Sequence, residues 1–420
     1  MEIKSNNKKR ILFILTRKFW PTNSGHDVVL HNYCKCLYKL FNYEIYVYYF
    51  SNNKLINKKP DFIKEEKKAP KVNFYCKLKN IIWNTFLFNK KPLQMALYES
   101  QYCFNDIQKY CLKIKPNIVY FDMVRLSMYK EAISPQIKKI LMMDDLLSKR
   151  YYRQINNNNS RGNILGYYAN FMPKYISKLF NNNFLKNIIL NFEAKRMEKW
   201  EKKSCLDFDY VTLVSPIEVK ALKEKTKKDN IVCVPMVVDC NNFIGKPNLL
   251  SNDLVFVGNF SYAPNVDSLA YIIDEVFPYI KSSKVYLNVI GFCPETIRKK
   301  YSNKPFINFR GRVNDLKNEV QSSLIFLAPI VYGTGIKTKI IEAMAMGMPV
   351  ITNEIGAEGI HAKRDIAFIV KESAKEIALA VDRLIENKEL CLEMGKNAAM
   401  YVEKNHNWKN MYDAFIELDM

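Results

Sequence analysis

The segment Tyr332-Gly-Thr-Gly-Ile-Lys-Thr-Lys-Ile-Ile-Glu-Ala-Met-Ala-Met-Gly-Met-Pro-Val-Ile-Thr352 admits few folds. The apolar run from Leu324 to Ile330 before it reads as a buried strand. A Gly-Thr-Gly turn follows, then a helix of strong formers that Gly347 and Pro349 stop. Val350 to Thr352 is the next strand. The helix opens with unpaired backbone N–H groups beside Lys337, a start that favours an anion, most often a phosphate. Gly333 and Gly335 let a ligand approach the backbone closely. Glu342 lies on the helix beyond, on the same face as Gly335, where a carboxylate can accept hydrogen bonds from sugar hydroxyls. A phosphate site at one end and a hydroxyl site beside it suggest a nucleotide.

The rest of the chain repeats this grammar. Strands and helices alternate, which argues for an α/β fold with parallel sheets. A length of 420 residues with 48% hydrophobic content supports two or three domains with real cores. Arg10 to Thr16 reads as the first strand, Arg17 to Gly25 as a polar loop, His26 to Leu40 as a helix and Glu44 to Phe50 as the second strand. Asn117 to Phe121 and Ile140 to Met143 are further strands, the latter ending at Asp144-Asp145. A carboxylate pair there stands where α/β sheets bind ligands. Ile188 to Trp200 is helical; Tyr210 to Ser215 and Ile231 to Val238 are strands. Residues 51–90 carry no assignable pattern. A switch of domain is expected near Asp239 to Asn252, where Asn, Pro and Gly accumulate.

Charge divides the chain. Residues 1–245 hold 43 Lys and Arg against 21 Asp and Glu, whereas residues 246–420 hold 21 of each, so the whole formal charge of +22 sits in the first part. Such asymmetry points to an anionic partner for one domain, with a Lys-rich composition on a solvated face as the alternative. An aromatic and basic stretch runs through residues 151–190, with Tyr167, Tyr168, Phe171, Tyr175 and Phe180. It reads either as core or as a membrane or acceptor contact. No apolar run approaches the roughly 18 residues that span a bilayer. The ten cysteines show neither metal nor redox spacing, as expected of reduced thiols in the cytoplasm.

Four ordered motifs carry a family resemblance: Phe256-Val-Gly-Asn-Phe-Ser-Tyr-Ala-Pro-Asn-Val-Asp267, Phe309-Arg-Gly-Arg-Val313, the glycine loop with its helix, and Ile355-Gly-Ala-Glu-Gly-Ile360. With them the region resembles the C-terminal half of bacterial group 1 glycosyltransferases, the GT4-like members of the GT-B superfamily. The N-terminal half is similar in its order of elements and in short stretches, among them Lys91 to Tyr98. The resemblance implies two Rossmann-like parallel-sheet domains facing a cleft, with the C-terminal helix returning to the first. The first would be an acceptor-side domain of residues 1–240 with helix 404–420, and the second a nucleotide-sugar domain of residues 241–403.

The same resemblance implies retaining sugar transfer from a nucleotide-diphosphate donor. Asp145, Lys337 and Glu342 become the candidate catalytic residues. Gly25, Gly258, Asn259, Arg312, Gly333, Thr334, Gly335, Lys337 and Glu342 become the donor-binding set, with Arg310 as the alternative to Arg312. The chain departs from the family at Thr334, where relatives often carry a glutamate that holds the donor sugar, and at His26, which replaces a second glycine after Gly25. No metal and no cofactor is expected: side chains and the helix dipole supply the positive field, and no spaced Asp-x-Asp motif is present. Expected partners are a nucleotide sugar, a glycan or lipid-linked acceptor, and an anionic membrane surface through residues 1–245. No nucleic-acid module is recognisable. The expected place is the cytoplasm, peripheral at the inner membrane face. The competing function is an inactive GT-B scaffold that binds a membrane or partner.

Overall fold

The computed structural model describes residues 8–22, 24–51, 58–87, 91–156, 183–239 and 245–420. Most of the aromatic and basic stretch, residues 157–182, lies outside the described residues. The chain divides into two compact units. One comprises Met1–Ser148, Phe192–Val237 and Trp408–Met420, the other Lys149–Asn191 and Val238–Asn407.

The first unit is built on seven strands: β1 (Arg10–Arg17), β2 (Glu44–Ser51), β3 (Ile63–Lys68), β4 (Ile118–Asp122), β5 (Lys138–Asp144), β6 (Tyr210–Leu213) and β7 (Ile231–Cys233). Their order is β3-β2-β1-β4-β5-β6-β7, and every pairing is parallel. Central strands of a parallel sheet are covered on both faces and so need unbroken apolar runs. Ile11 to Leu15 of β1 meet that demand with no solvent exposure. The edge strand β3, Ile-Lys-Glu-Glu-Lys-Lys, obeys the opposite rule. Its charges discourage another chain from pairing with it. The chain winds outward from β1 to β3, then restarts at β4 on the other side of β1. The strand order therefore reverses between β1 and β4, and ligands of open α/β sheets bind at such a reversal.

The second unit holds β8 (Leu254–Val257), β9 (Leu287–Ile290), β10 (Ile307–Gly311), β11 (Ile325–Ala328), β12 (Val350–Thr352) and β13 (Ile369–Val370). The order β10-β9-β8-β11-β12-β13 reverses between β8 and β11. The fold is thus α/β with two parallel Rossmann-like sheets, as the resemblance implies. The helix Ala263–Tyr271 has Pro264 in its first turn, where the missing N–H costs nothing. It continues as a π turn, Ile272–Val276, and a 3₁₀ turn, Phe277–Tyr279. Pro278 lacks the donor that an α-helix requires there. Helix Ala374–Glu386 is opened by a Ser373–Glu376 capping box.

The last helix, Trp408–Ile416, belongs to the first unit. Phe415 meets Tyr33 edge to face at 5.3 Å, and Lys35 lies 5.3 Å over the Trp408 ring. Both partners project from the helix Gly25–Lys39. Among the described residues, no helix is long and apolar enough to cross a membrane.

Candidate functional site

At the strand reversal of the first unit, Ser24 caps the helix that follows β1, its hydroxyl accepting from Asp27 N at 3.3 Å. Gly25 and His26 are the first two helical residues. The His26 ring inserts between two carboxylates at strand ends. Nε2 lies 2.9 Å from Asp122 at the end of β4, and Nδ1 lies 3.2 Å from Asp144 at the end of β5. Neither contact is aligned as a hydrogen bond, so the attraction is of charge for charge. Burial alone would lower the pKa of His26, but Asp144 and Asp122 together outweigh it and lift the imidazole to about 10. Asp122 is held in turn by Thr16 on β1, whose N–H and hydroxyl donate at 2.9 and 2.6 Å. Burial would raise this carboxyl, yet His26 and Thr16 bring it down to about 2. Arg17 completes the corner, pairing with Asp27 at 3.1 Å and donating to Ser24 at 2.9 Å.

The two neighbouring aspartates at the end of β5 have different surroundings. Asp144 has a φ of +66°, uncommon for a residue with a Cβ. The pairing of β5 with β6 shifts register between Met142 and Asp144, which re-aims the strand end. Its side chain stays partly exposed. Asp145 is buried, near enough to Glu201 for its charge to act on that carboxyl. Burial, then Asp145, raise Glu201 to about 7 in spite of hydrogen bonds from Ser148. Glu201 accepts from both the N–H and the hydroxyl of Ser148, fixing the start of helix Leu147–Asn156. Another buried glutamate, Glu193, accepts from Leu93 N at 2.8 Å and Gln94 N at 3.2 Å, so it caps the short helix of the Pro-x-Gln stretch.

In the second unit the glycine loop follows β11 at the strand reversal. Gly335 has a φ of +67°, a conformation that glycine adopts without cost. Lys337 is the N-cap residue of helix Thr338–Ala345, and its side chain offers the helix no cap hydrogen bond. Its ammonium folds back instead, donating to Gly335 O at 2.5 Å and Thr334 O at 3.3 Å. Residues from helix Leu147–Asn156 join the loop. Arg150 Nε donates to the buried Thr334 hydroxyl at 3.2 Å. Arg153 donates to Gly333 O at 2.6 Å and grips Glu358 with both terminal nitrogens, at 2.5 and 3.1 Å. Lys149 also pairs with Glu358, and Lys337 stands 4.0 Å from it. Burial would raise Glu358, but Arg153, Lys149 and Lys337 outweigh it and hold the carboxyl below the usual range. Four cations thus gather at the glycine loop, three of them against Glu358 and Arg150 against Thr334. None of Lys149, Arg150, Arg153 or Glu358 was a sequence candidate. The only cue was their charge next to recognised motifs.

Glu342 sits one turn along the same helix, half-buried. Burial pushes its carboxyl up to about 7, against the pull of Lys339. Gly258 directly follows β8, where a Cβ would meet the Asn265 amide at 3.0 Å and Lys339 Nζ at 3.3 Å. Asn259 shapes the turn that follows, accepting from Ser261 N at 3.0 Å and from the Asn265 amide at 2.9 Å. Gly258, Asn259, Gly333, Thr334, Gly335, Lys337 and Glu342 therefore flank one strand reversal. Arg312 is exposed at the end of β10 and lies 5.5 Å over the Phe292 ring, with β9 between its strand and β8. Gly25 and Asp145 lie in the first unit. Among the described residues, no group of three or more His, Cys, Asp or Glu could hold a metal ion.

Residues 251–387 match the family model for group 1 glycosyl transferases. The chain is 22% identical over 257 residues to an uncharacterized 44.6 kDa protein in the cps region of Klebsiella pneumoniae, covering 58% of this chain and 65% of that protein. It is 27% identical over 166 residues to an uncharacterized glycosyltransferase of Methanocaldococcus jannaschii, covering 37% of this chain and 42% of that one. The matches therefore span less than two thirds of either relative. Among solved structures, the chain resembles sucrose-phosphate synthase from Thermosynechococcus elongatus at a TM-score of 0.68 and 13% identity, with 98% of both chains covered. It resembles Anabaena HepE in complex with UDP at a TM-score of 0.64 and 10% identity, covering 98% of this chain and 99% of that one. Residues 251–387 are thus similar to group 1 glycosyl transferases, and the chain shares the two-sheet α/β fold of these solved structures.

Proposed function

We propose that this chain is a retaining, metal-independent glycosyltransferase. It moves a sugar from a nucleoside diphosphate donor to a glycan or lipid-linked acceptor in the synthesis of a cell-surface polysaccharide. The observation that carries this reading is the cationic glycine loop at the second strand reversal. Lys149, Arg153 and Lys337 face the Glu358 carboxylate there, and Arg150 donates to the Thr334 hydroxyl. Breaking the bond between the sugar and the diphosphate leaves negative charge on the leaving oxygen. Fixed cations and backbone N–H groups facing that oxygen stabilise the charge without having to reorganise. Lys337 would swing from its carbonyl partners to the phosphates, and Glu342 would accept from ribose hydroxyls.

The sugar would meet Thr334 and Arg150 where relatives often offer a glutamate, so the two are expected to influence which sugar is taken. In the first unit, Asp144 or Asp145 would hold sugar hydroxyls. The solved HepE complex with UDP-glucose supports a nucleotide-sugar donor. The relative in a cps region supports a role in surface polysaccharide. Attachment to the inner membrane face through the basic residues 1–245 would bring a lipid-linked acceptor to the enzyme.

The test is a panel of nucleotide sugars scored for thermal shift and for release of nucleoside diphosphate. One or two members should stabilise the protein and be turned over. A folded protein that no member stabilises and that releases no diphosphate would leave the scaffold reading, which the missing glutamate at Thr334 favours.

A further inference from the structure

We propose that Lys339 is a second anion-binding cation of the donor site, and that nucleotide-sugar binding charges it by proton uptake. This rests on the donor-site reading above and assigns to it a residue that the sequence motifs left unused.

Three elements converge on this side chain. Lys339 belongs to the first turn of helix Thr338–Ala345, two residues beyond Lys337. Its Nζ donates to Asn265 Oδ1 at 2.6 Å and lies 4.6 Å over the ring of Phe256. Phe256 is in β8, and Asn265 is in the helix that follows that strand. The amine is therefore drawn to the end of β8, the strand that flanks the reversal opposite β11. Gly258 leaves the space: a Cβ there would stand 3.3 Å from Nζ. Lys339 and Glu342 both line a small recess, together with the apolar side chains of Val257, Leu316, Val320 and Phe326. An apolar wall on one side and a strand reversal on the other is a costly place for a permanent charge and a good one for a charge that appears with its ligand.

The charged groups that face Lys339 are Glu342 on its own helix and Lys337 two residues back. Burial lowers the amine to about 7, Lys337 lowers it further, and Glu342 opposes both. Near neutrality the free protein thus holds a mixture of amine and ammonium. A diphosphate brought within a few ångströms favours the ammonium. The protein must then take up a proton on binding, and affinity must fall as pH rises through the free-state value. Glu342 titrates in the same range with the opposite sense, because ribose hydroxyls favour its carboxylate. Removing the Lys339 titration should therefore flatten or reverse the pH profile.

Isothermal titration with UDP-glucose, GDP-mannose and dTDP-glucose from pH 6 to 9, in buffers of different ionisation heat, reads this directly. The diphosphate of such donors carries no proton in that range, and their bases titrate only above about pH 9, so uptake read at or below pH 8 belongs to the protein. We expect uptake approaching one proton at pH 8, and affinity falling by up to about tenfold per pH unit above neutrality. Lys339→Arg keeps the charge at every pH and should bind without uptake. Lys339→Gln should bind roughly tenfold or more weakly at pH 6.5, the loss of one charge-assisted contact, also without uptake. Uptake that persists in Lys339→Arg, or equal affinity in Lys339→Gln, overturns this inference and leaves the donor site standing. Failure of every nucleotide sugar to bind the wild-type chain overturns the donor-site reading and this inference with it.

Discussion

His26 and Asp144 form an ion pair at the end of β5, Nδ1 to Oδ2 at 3.2 Å, while the aspartate keeps a φ of +66°. The opposite edge of the same ring faces Asp122 at 2.9 Å, so one imidazolium ties the ends of β4 and β5 to the start of the helix Gly25–Lys39. The sequence resemblance presented His26 only as a missing glycine.

The first prediction concerns stability. Deleting the ring leaves two carboxylates facing each other without their cation, so His26→Ala should destabilise the protein by about 3–5 kcal/mol, the usual effect of breaking a buried pair. The pKa of His26 is raised from 6.5 to about 10 in the folded protein. Its contribution is therefore fully present below pH 6.5 and is lost as pH rises through about 10. Urea titrations should show the wild type losing more stability than His26→Gln between pH 7 and pH 10.5. Parallel curves would mean that the ring is not held as an imidazolium.

A second prediction separates the neighbouring aspartates. Asp144→Asn should lower turnover by more than about tenfold with a modest loss of stability, since its carboxylate is partly exposed at a strained strand end. Asp145→Asn should act mainly on the melting temperature, because Asp145 is buried near Glu201. The neutral amide should also let Glu201 ionise at lower pH. Turnover lost in Asp145→Asn at unchanged stability would return the catalytic role to that residue.

Glu342 and Lys337 should fail in different ways. Glu342→Ala should weaken nucleoside diphosphate binding by about 1–3 kcal/mol, the scale of a charged hydrogen bond. Lys337→Ala should lower kcat more than it weakens binding, because its charge matters most as the diphosphate leaves. A raised KM at unchanged kcat would make Lys337 a binding residue alone. Unchanged nucleotide affinity in Glu342→Ala would remove the ribose from that helix face.

The basic part of the chain yields the fourth prediction. Each basic residue close to an acidic bilayer contributes on the order of 1 kcal/mol, and salt screens it within about 10 Å. Full-length protein should sediment with anionic vesicles, stay free of neutral ones, and be released by high salt. Charge reversal at Lys174, Lys178 and Lys186 should weaken the binding. Equal sedimentation with both vesicle types would make the charge a property of composition alone.

How much the sequence disclosed depended on the reach of each interaction. β1, β12 and the helix Gly25–Lys39 were legible because their signals are local: apolar runs and helical spacing. β3 was not, since an edge strand made of Lys and Glu has no apolar alternation. The glycine loop, Lys337 and Glu342 were placed by motif and lie at one strand reversal. The His26 cluster was invisible because its partners follow two later strands and meet it only when the sheet forms. Asp144 and Asp145 are neighbours in sequence, and the shift of register at the end of β5 separates their surroundings. Glu193 was not legible as a cap, because its partners, Leu93 N and Gln94 N, lie about 100 residues back in the chain.

The turn behind the helix Thr338–Ala345 is where this chain tolerates least drift. Gly347 has a φ of +73°, and a Cβ there would stand 2.4 Å from Gly245 O. A Cβ on Gly395, inside the helix Lys388–Asn405, would stand 1.9 Å from Gly347 O. Backbone meets backbone at both contacts, so no rotamer change can relieve an added methyl. A mutational library selected for function should therefore be empty of alanine and serine at 347 and 395. Surface lysines by the dozen can come and go in such a protein, while two hydrogens at these crossings set the distance between its helices.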